Sequence, residues 1–180
     1  DVKNQIQLAF RNHWSLFRDL MSNEPLYSGG KRVMEIGCGR GSLSCYFSDA
    51  GYKCTLVDLS KSVLETAKKI FSTNQLDAEF VIGDANSLDI PDKSFDVIYS
   101  IGLLEHFDDI ETPLKEQIRV LDDGGIWFGY IVPKYKNNVQ TEFSWINDIL
   151  EGYHEKNDTA PVNKQKIFRS DYGSKRYTSI

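Results

Sequence analysis

Three glycines at alternate positions, Gly37, Gly39 and Gly41, directly follow a short apolar run over residues 33–36. Apolar residues then recur at helical spacing, which predicts a strand, a tight turn and a helix. Glycine permits left-handed backbone angles and leaves no side chain between the backbone and a ligand. The spacing therefore predicts a turn that lets the backbone approach a nucleotide-like ligand.

Two aspartates follow later apolar runs and are suited to the same site. Asp58 ends the run 53–58, where a carboxylate can accept hydrogen bonds from both hydroxyls of a ribose. Asp84 follows the run 80–82. An ordinary alternative is that Asp58 only caps the next helix, but Ser60 is available as that cap, which leaves Asp58 freer for a ligand.

The remaining runs alternate with helical patterns through the middle of the chain. A fourth run covers 95–100. A predicted helix that begins at Thr112 and a Gly-rich turn then lead into a fifth run, 124–133. This alternation predicts a mainly parallel sheet covered on both faces, a three-layer, doubly wound, Rossmann-like α/β fold. The opening segment predicts one more helix, with an apolar stripe at Ile6, Phe10, Trp14, Phe17 and Met21.

With these landmarks in order, the chain resembles a class I S-adenosylmethionine-dependent methyltransferase of the group that acts on small molecules. The resemblance runs from about residue 30 to Pro133. In a dinucleotide fingerprint the third glycine would stand at Ser42, and Gly41 comes one residue earlier, which favours S-adenosylmethionine. The resemblance implies in-line transfer of the methyl group to a small-molecule acceptor.

The resemblance also implies roles for the residues of the glycine turn. Gly37, Gly39 and Gly41 are expected to approach the methionine half of the cofactor, and Cys38 to fit the turn without an activated thiolate. Glu35 is expected to orient the turn and to meet the ammonium group of the cofactor. The alternative for Glu35 is a carboxylate that only braces the turn or the start of the helix.

For the other half of the cofactor, the resemblance implies that Asp58 binds the ribose and Leu59 packs on the adenine. Asp84 is expected to accept the adenine amino group, and Ala85 to offer its backbone N–H to the ring. Asp84 as an ordinary turn aspartate is the alternative. Two backbone carbonyls at the end of the fourth strand, those of Ser100 and Ile101, are expected to meet the methionine ammonium.

His106 is the titratable residue predicted to lie nearest to the transferred methyl group. It follows the fourth strand in a Glu-His pair, and a hydroxyl or ammonium acceptor would need such a base. The alternative is that the pair takes no part in catalysis. His13 and Trp14 lie on a helix that could fold over the pocket, with packing as their simpler role, and Phe143 and Trp145 belong to a predicted substrate cover.

Composition narrows the class of protein. The formal net charge of −5 disfavours a protein that binds the nucleic-acid backbone, and the residues Ser100-Ile101-Gly102-Leu103 replace the Pro-Pro motif typical of nucleic-acid amino methylation. The three cysteines are odd in number and lack metal-type spacing, so we expect a reduced, cytoplasmic setting and no metal. We expect neither a membrane span nor a signal peptide.

The sequence predicts three regions: residues 1–30 as a helix and linker, 31–133 as the cofactor-binding core, and 134–180 as a substrate cover. After Val132 the strand-like run 166–168 is short, so we expect the chain to be truncated before the antiparallel hairpin that completes the family sheet. Two alternatives to the methyltransferase remain: a non-catalytic binding domain of the same fold, and a nicotinamide-dependent oxidoreductase.

Overall fold

Five parallel strands form one sheet in the computed structural model, which describes residues 5–22 and 31–131. In chain order the strands are β1 (Arg32–Ile36), β2 (Lys53–Asp58), β3 (Glu79–Ile82), β4 (Phe95–Ile101) and β5 (Leu121–Tyr130). Their order across the sheet is β3-β2-β1-β4-β5. The predicted Rossmann-like α/β fold is confirmed.

Four α-helices accompany the strands. They are α1 (Gln5–Met21), α2 (Ser42–Asp49), α3 (Lys61–Thr73) and α4 (Glu111–Val120), and a short 3₁₀ helix covers Leu104–His106. The strand order reverses between β1 and β4, which follow one another in space but not in sequence. In such sheets, ligands bind at the carboxyl ends of the strands beside this reversal.

Adjacent residues of β4 show how the two faces of the sheet are covered. The ring of Tyr99 packs against Phe17 of α1 and Phe47 of α2, with centroids 5.9 and 5.2 Å apart. Ser100, the next residue, donates a hydrogen bond to Gln117 of α4. Because successive strand residues point to opposite faces, α1 and α2 lie on one face and α4 on the other. Within the predicted stripe of α1, Phe17 and Met21 are buried, and Phe10 and Trp14 pack partly buried against the core.

The Gly-rich turn expected before the fifth strand lies inside β5 instead. α4 ends at Val120, and Leu121 already pairs with Phe95, so no separate turn precedes the strand. The pairing register shifts between Phe95 and Val97, and Gly124 has a φ of 75° in this irregular stretch. A left-handed residue lets the strand bulge there without ending it.

The chain divides into two compact units, Asp1–Leu104 with Asp109–Tyr130, and Glu105–Asp108 with Ile131–Ile180. The sheet and its helices belong to the first unit. The missing hairpin and the cover around Phe143 and Trp145 fall on residues 132–180, outside the described residues, and remain predictions. The predicted boundaries at residues 30 and 133 also remain predictions.

Candidate functional site

The glycine turn after β1 has three left-handed residues, with φ values of 67° at Gly37, 54° at Gly39 and 67° at Gly41. A Cβ atom on Gly37 would lie 2.7 Å from Leu103, and one on Gly41 would collide with Leu56. A Cβ on Gly39 would meet no atom within 4 Å. Packing therefore requires glycine at the two outer positions, whereas Gly39 presents an open backbone face that a ligand can approach.

Asp58 connects this turn to the end of β2. One carboxylate oxygen accepts the backbone N–H of Gly39 at 3.1 Å, and the other accepts the N–H of Ser60 at 2.9 Å. The Ser60 hydroxyl contacts that of Ser62 and caps no backbone group. Ser60 holds the N-cap position of α3, as expected, but its hydroxyl caps no helix N–H, and Asp58 is held by the N–H of Ser60 and is not left free.

These two bonds still leave Asp58 able to accept ligand hydroxyls. A carboxylate has about four lone-pair sites, and two backbone donors occupy about half of them. The two bonds also fix the carboxylate at the carboxyl end of β2, next to the open face of Gly39. Its position suits the predicted ribose contact, which remains a prediction.

Two large apolar side chains are exposed beside Asp58. Leu59 has 71% and Ile82 has 57% of its surface accessible, and Ile82 lies opposite Asp58 in the pairing of β2 with β3. Together they provide apolar surface that the adenine ring could cover. The sequence analysis named Leu59 and missed Ile82. Ile82 could have been found because it is the last apolar residue of the run before Asp84.

The loop after β3 is held close to Asp58 by a hydrogen bond from the N–H of Gly83 to the Asp58 carbonyl, 3.2 Å long. Asp84 is exposed, and its Oδ1 accepts the backbone and side-chain N–H groups of Asn86 at 2.9 and 3.0 Å. Ala85 is buried. The observed bonds are those of a turn aspartate, and the adenine contacts of Asp84 and Ala85 remain predictions.

Glu35 lies buried beneath the glycine turn, with 4% of its surface exposed. Its Oε2 accepts the hydroxyls of Ser44 at 2.6 Å and of Tyr99 at 3.1 Å. Burial raises the pKa of this carboxyl to about 7, against the opposing effect of the two hydroxyl donors. These contacts brace the first turn of α2, the alternative role, and a contact with the cofactor ammonium remains a prediction.

Ser100 and Ile101 lie at the same edge of the sheet. The pairing of β4 with β1 runs to Tyr99 opposite Glu35, so Ser100 lies level with Ile36, the last residue of β1, and Ile101 extends one residue beyond it. The Ser100 hydroxyl points towards α4 and donates to Oε1 of Gln117 at 3.2 Å. A ligand at the turn would therefore meet the backbone of Ser100, not its side chain. The role of the two carbonyls remains a prediction.

The cysteines provide no nucleophile here. Cys38 is buried in the turn, its N–H donates to the carbonyl of Val57 at 3.0 Å, and burial raises the pKa of its thiol far above the usual range. Burial also raises the pKa of Cys45 to about 11 and that of Cys54 to about 12. Within residues 5–22 and 31–131, no cluster of His, Cys, Asp or Glu side chains could hold a metal ion.

His106 belongs to the second compact unit, where it is the exposed last residue of the short 3₁₀ helix Leu104–His106. The site described above lies in the first unit. The role of His106 as a base therefore remains a prediction.

The turn, Asp58 and the loop after β3 thus meet at the carboxyl edge of the sheet, and comparison with known proteins identifies the family. The profile of a methyltransferase domain family matches residues 34–128, more than half of the chain. The chain belongs to this methyltransferase domain family. The predicted family, the class I S-adenosylmethionine-dependent methyltransferases, is confirmed.

Two methyltransferases are among the relatives of this domain. A ubiquinone biosynthesis O-methyltransferase of Coxiella burnetii is 32% identical over 113 residues, 62% of this chain and 48% of the relative. A 2-methyl-6-phytyl-1,4-hydroquinone methyltransferase of Synechocystis is 34% identical over 98 residues, 54% of this chain and 30% of the relative. The chain thus spans less than half the length of either relative.

Solved structures share the fold. The YcgJ protein of Bacillus subtilis matches 78% of this chain and 58% of its own, with a TM-score of 0.62 and 27% identity. The [4+2]-cyclase SpnF matches 69% of this chain and 47% of its own, with a TM-score of 0.59 and 25% identity. Within the described part of this methyltransferase domain, no helix is long and apolar enough to cross a membrane.

Proposed function

We propose that this chain transfers the methyl group of S-adenosylmethionine to a small-molecule acceptor by in-line displacement. The observation that carries the proposal is the bond from the Gly39 N–H to the Asp58 carboxylate. It joins the open glycine turn to a ribose-type acceptor at the point where the strand order reverses, which is where an open α/β sheet binds its ligand.

The residues present fit this cofactor. Gly39 has open space where its side chain would be, Asp58 has remaining acceptor capacity, and Leu59 and Ile82 expose apolar surface beside it. When bound, S-adenosylmethionine supplies an electrophilic methyl group on a sulfonium. In this proposal the chain binds and orients: Asp58 holds the ribose, and the exposed apolar pair holds the adenine.

Orientation is the main contribution that we assign to the chain. Holding two reactants in line can lower a barrier by about 7–11 kcal/mol. If Asp58, Leu59 and Ile82 hold the ribose and the adenine, the glycine turn after β1 and the end of β4 would be left to hold the methionine half, with the acceptor beside β4. A carboxylate acceptor needs no base, whereas a hydroxyl acceptor does, and His106 is then the proposed base.

The acceptor is proposed to be a small molecule, with phenolic compounds as the first class to test. The names of two relatives, one in ubiquinone biosynthesis and one a hydroquinone methyltransferase, support this choice. The net charge of −5 supports a partner other than nucleic acid. The three unpaired cysteines support a cytoplasmic location.

Calorimetric titration and a transfer assay test the function together. S-adenosylhomocysteine is expected to bind and NADH is not, and a panel of phenols, carboxylates and amines is expected to contain a methylated member. Binding of NADH alone would support the oxidoreductase. Binding of S-adenosylhomocysteine without transfer to any acceptor would support a non-catalytic domain or another chemistry, as in the cyclase that shares this fold.

A further inference from the structure

The first turns of α1 lie at the same sheet edge as the glycine turn, beside the end of β5. Phe17 stacks on Phe128 with centroids 4.1 Å apart, and one helical turn earlier His13 packs against Tyr130 at 5.2 Å. Phe128 and Tyr130 point to the same face, because they are two residues apart on one strand. α1 therefore runs antiparallel to β5, and His13 lies at the carboxyl edge.

This edge is next to the part of β4 that the proposed cofactor site uses. Tyr130 is the last residue of β5 and lies opposite Ile101, and the N–H of Gly102 donates to the Tyr130 carbonyl at 2.8 Å. Neighbouring strands are about 5 Å apart. His13 is therefore about one strand away from the proposed position of the methionine half, on the side where the acceptor must enter.

The surroundings of His13 are aromatic. Its ring centroid lies 6.4 Å from that of Phe10, 6.4 Å from that of Phe17 and 5.2 Å from that of Tyr130. Phe10 is half-buried, and Tyr130 has 49% of its surface exposed. An exposed aromatic surface around one imidazole offers both edge and face contacts to a planar ring.

The imidazole has a nitrogen without a partner. Nδ1 is buried, and no described group bonds to it. Burial alone lowers the pKa of His13; no charged group contributes, and Tyr130 is the titratable residue packed against it. The ring is then neutral near pH 7. A buried N–H without a partner is rarer than a buried acceptor without one, so we place the ring proton on Nε2. Nε2–H is then a hydrogen-bond donor.

On the basis of the proposed function, we propose that Phe10, His13 and Tyr130 form the acceptor subsite, and that it binds an oxygenated aromatic ring. The ring packs on Phe10 and Tyr130, and His13 Nε2–H donates a hydrogen bond to a ring oxygen. In this arrangement His13 binds and selects the acceptor. It does not accept the proton that a hydroxyl loses, since in this tautomer Nε2 already carries one.

Imidazole ¹⁵N spectra of the whole 180-residue chain test the contact without any turnover. With S-adenosylhomocysteine present, His13, assigned by comparison with His13→Gln, is expected to show the Nε2–H tautomer at pH 7. Hydroquinone is expected to shift its signals, and the saturated analogue cyclohexane-1,4-diol is expected to leave them in place. A cationic or Nδ1–H ring, no shift with hydroquinone, or equal shifts with both probes would overturn the proposal.

Transfer kinetics with hydroquinone provide the second test. His13→Leu is expected to raise KM by about tenfold, the loss of one hydrogen bond, with kcat within about twofold. His13→Gln restores an N–H at similar reach and should recover most of the loss. Asn12 is an exposed neighbour of His13 and provides the control. Asn12→Gln introduces the same side chain there and should change neither KM nor kcat. All three variants should bind S-adenosylhomocysteine as the parent chain does.

The outcomes separate this inference from the proposed function. Methyl transfer that His13→Leu leaves unchanged would refute the subsite and keep the methyltransferase. A loss in kcat with unchanged KM and an altered pH profile would make His13 a base and also overturn the proposal. A His13 shift with hydroquinone in a chain that transfers no methyl group would keep the subsite and refute the activity.

Discussion

At the scale of single residues, one carboxylate holds the glycine turn and a second holds the first turn of the helix that follows it. Asp58 accepts the N–H of Gly39 at the open edge, and Glu35 accepts the hydroxyls of Ser44 and Tyr99 from within the core. The first is partly exposed and can serve a ligand, whereas the second is sealed beneath the turn. Replacing Asp58 should therefore affect ligand binding, whereas replacing Glu35 should affect the stability of the fold.

Asp58→Ala is expected to weaken binding of S-adenosylhomocysteine by about 1–3 kcal/mol, because the ribose hydroxyls lose their acceptor and remain unpaired. Calorimetry on the variant and the parent chain measures the difference. Asp89→Ala, at an exposed aspartate away from the turn, is the matched control and should bind like the parent. Equal affinity in both variants would refute the ribose assignment.

Glu35→Gln is expected to change how stability depends on pH. In the folded chain the pKa of Glu35 is raised to about 7 from an ordinary 4.5, so the folded state retains a proton that the unfolded state releases. This contribution to stability is fully present below about pH 4.5 and declines as the pH rises to about 7. The total decline is roughly 3 kcal/mol.

Urea unfolding at pH 5 and pH 8 measures this effect. The parent chain should lose more stability between the two pH values than Glu35→Gln does, and the other titrating groups cancel in the comparison. The amide retains an oxygen for Ser44 and Tyr99, so the variant is expected to fold. Parallel pH dependence in the two proteins would show that Glu35 is ionised throughout this range.

At the scale of elements, the turn between β1 and α2 has one position that faces open space, which we propose for the ligand, and others that face packed side chains. A Cβ atom on Gly41 would meet Leu56 and Phe71 of the core, whereas one on Gly39 would meet open space. A sequence of alternating glycines does not distinguish these functions. The distinction appears only once β2 and α3 are placed against the turn.

Gly41→Ala is expected to destabilise the chain by roughly 2–5 kcal/mol, through a left-handed alanine together with a collision against Leu56. Gly39→Ala carries the backbone strain alone, roughly 1–3 kcal/mol, and should weaken cofactor binding by at least about tenfold, because its methyl group occupies the open face. Urea unfolding and calorimetry measure the two effects. A larger stability loss for Gly39→Ala would contradict this division.

At the scale of the whole molecule, charge limits the choice of partner. Twenty-six acidic residues exceed 21 basic ones, and some of the described basic side chains, such as Arg32 and Arg119, are paired with carboxylates. A backbone-tracking nucleic-acid site needs a concentration of unpaired positive charge. The acidic balance of the chain therefore disfavours such a partner.

We expect no salt-sensitive complex with duplex DNA or single-stranded RNA at micromolar protein concentration, because the phosphate backbone would meet a net negative chain. Gel-shift series at low and physiological salt measure this. A basic nucleic-acid-binding domain run alongside serves as the positive control. Tight binding that weakens steeply with salt would contradict the proposal of a small-molecule acceptor.

The amino-acid sequence by itself determined the class of fold and the family. Apolar periodicity located all five strands, since parallel strands are buried on both faces and appear as near-continuous apolar runs. The glycine spacing and Asp58 indicated the cofactor, because close backbone approach and a bidentate acceptor depend on residue type at a local position. Local chemistry of this kind is visible without a structure.

The tertiary structure decided what depends on distant neighbours. Only the packing of α2 and β4 on Glu35 sealed that carboxyl and raised its pKa, and only the pairing of β3 with β2 placed Ile82 beside Asp58. The direction of α1 across the sheet brought His13 to Tyr130. Burial, exposure and such contacts arise between segments far apart in the chain, so residue spacing alone could not supply them.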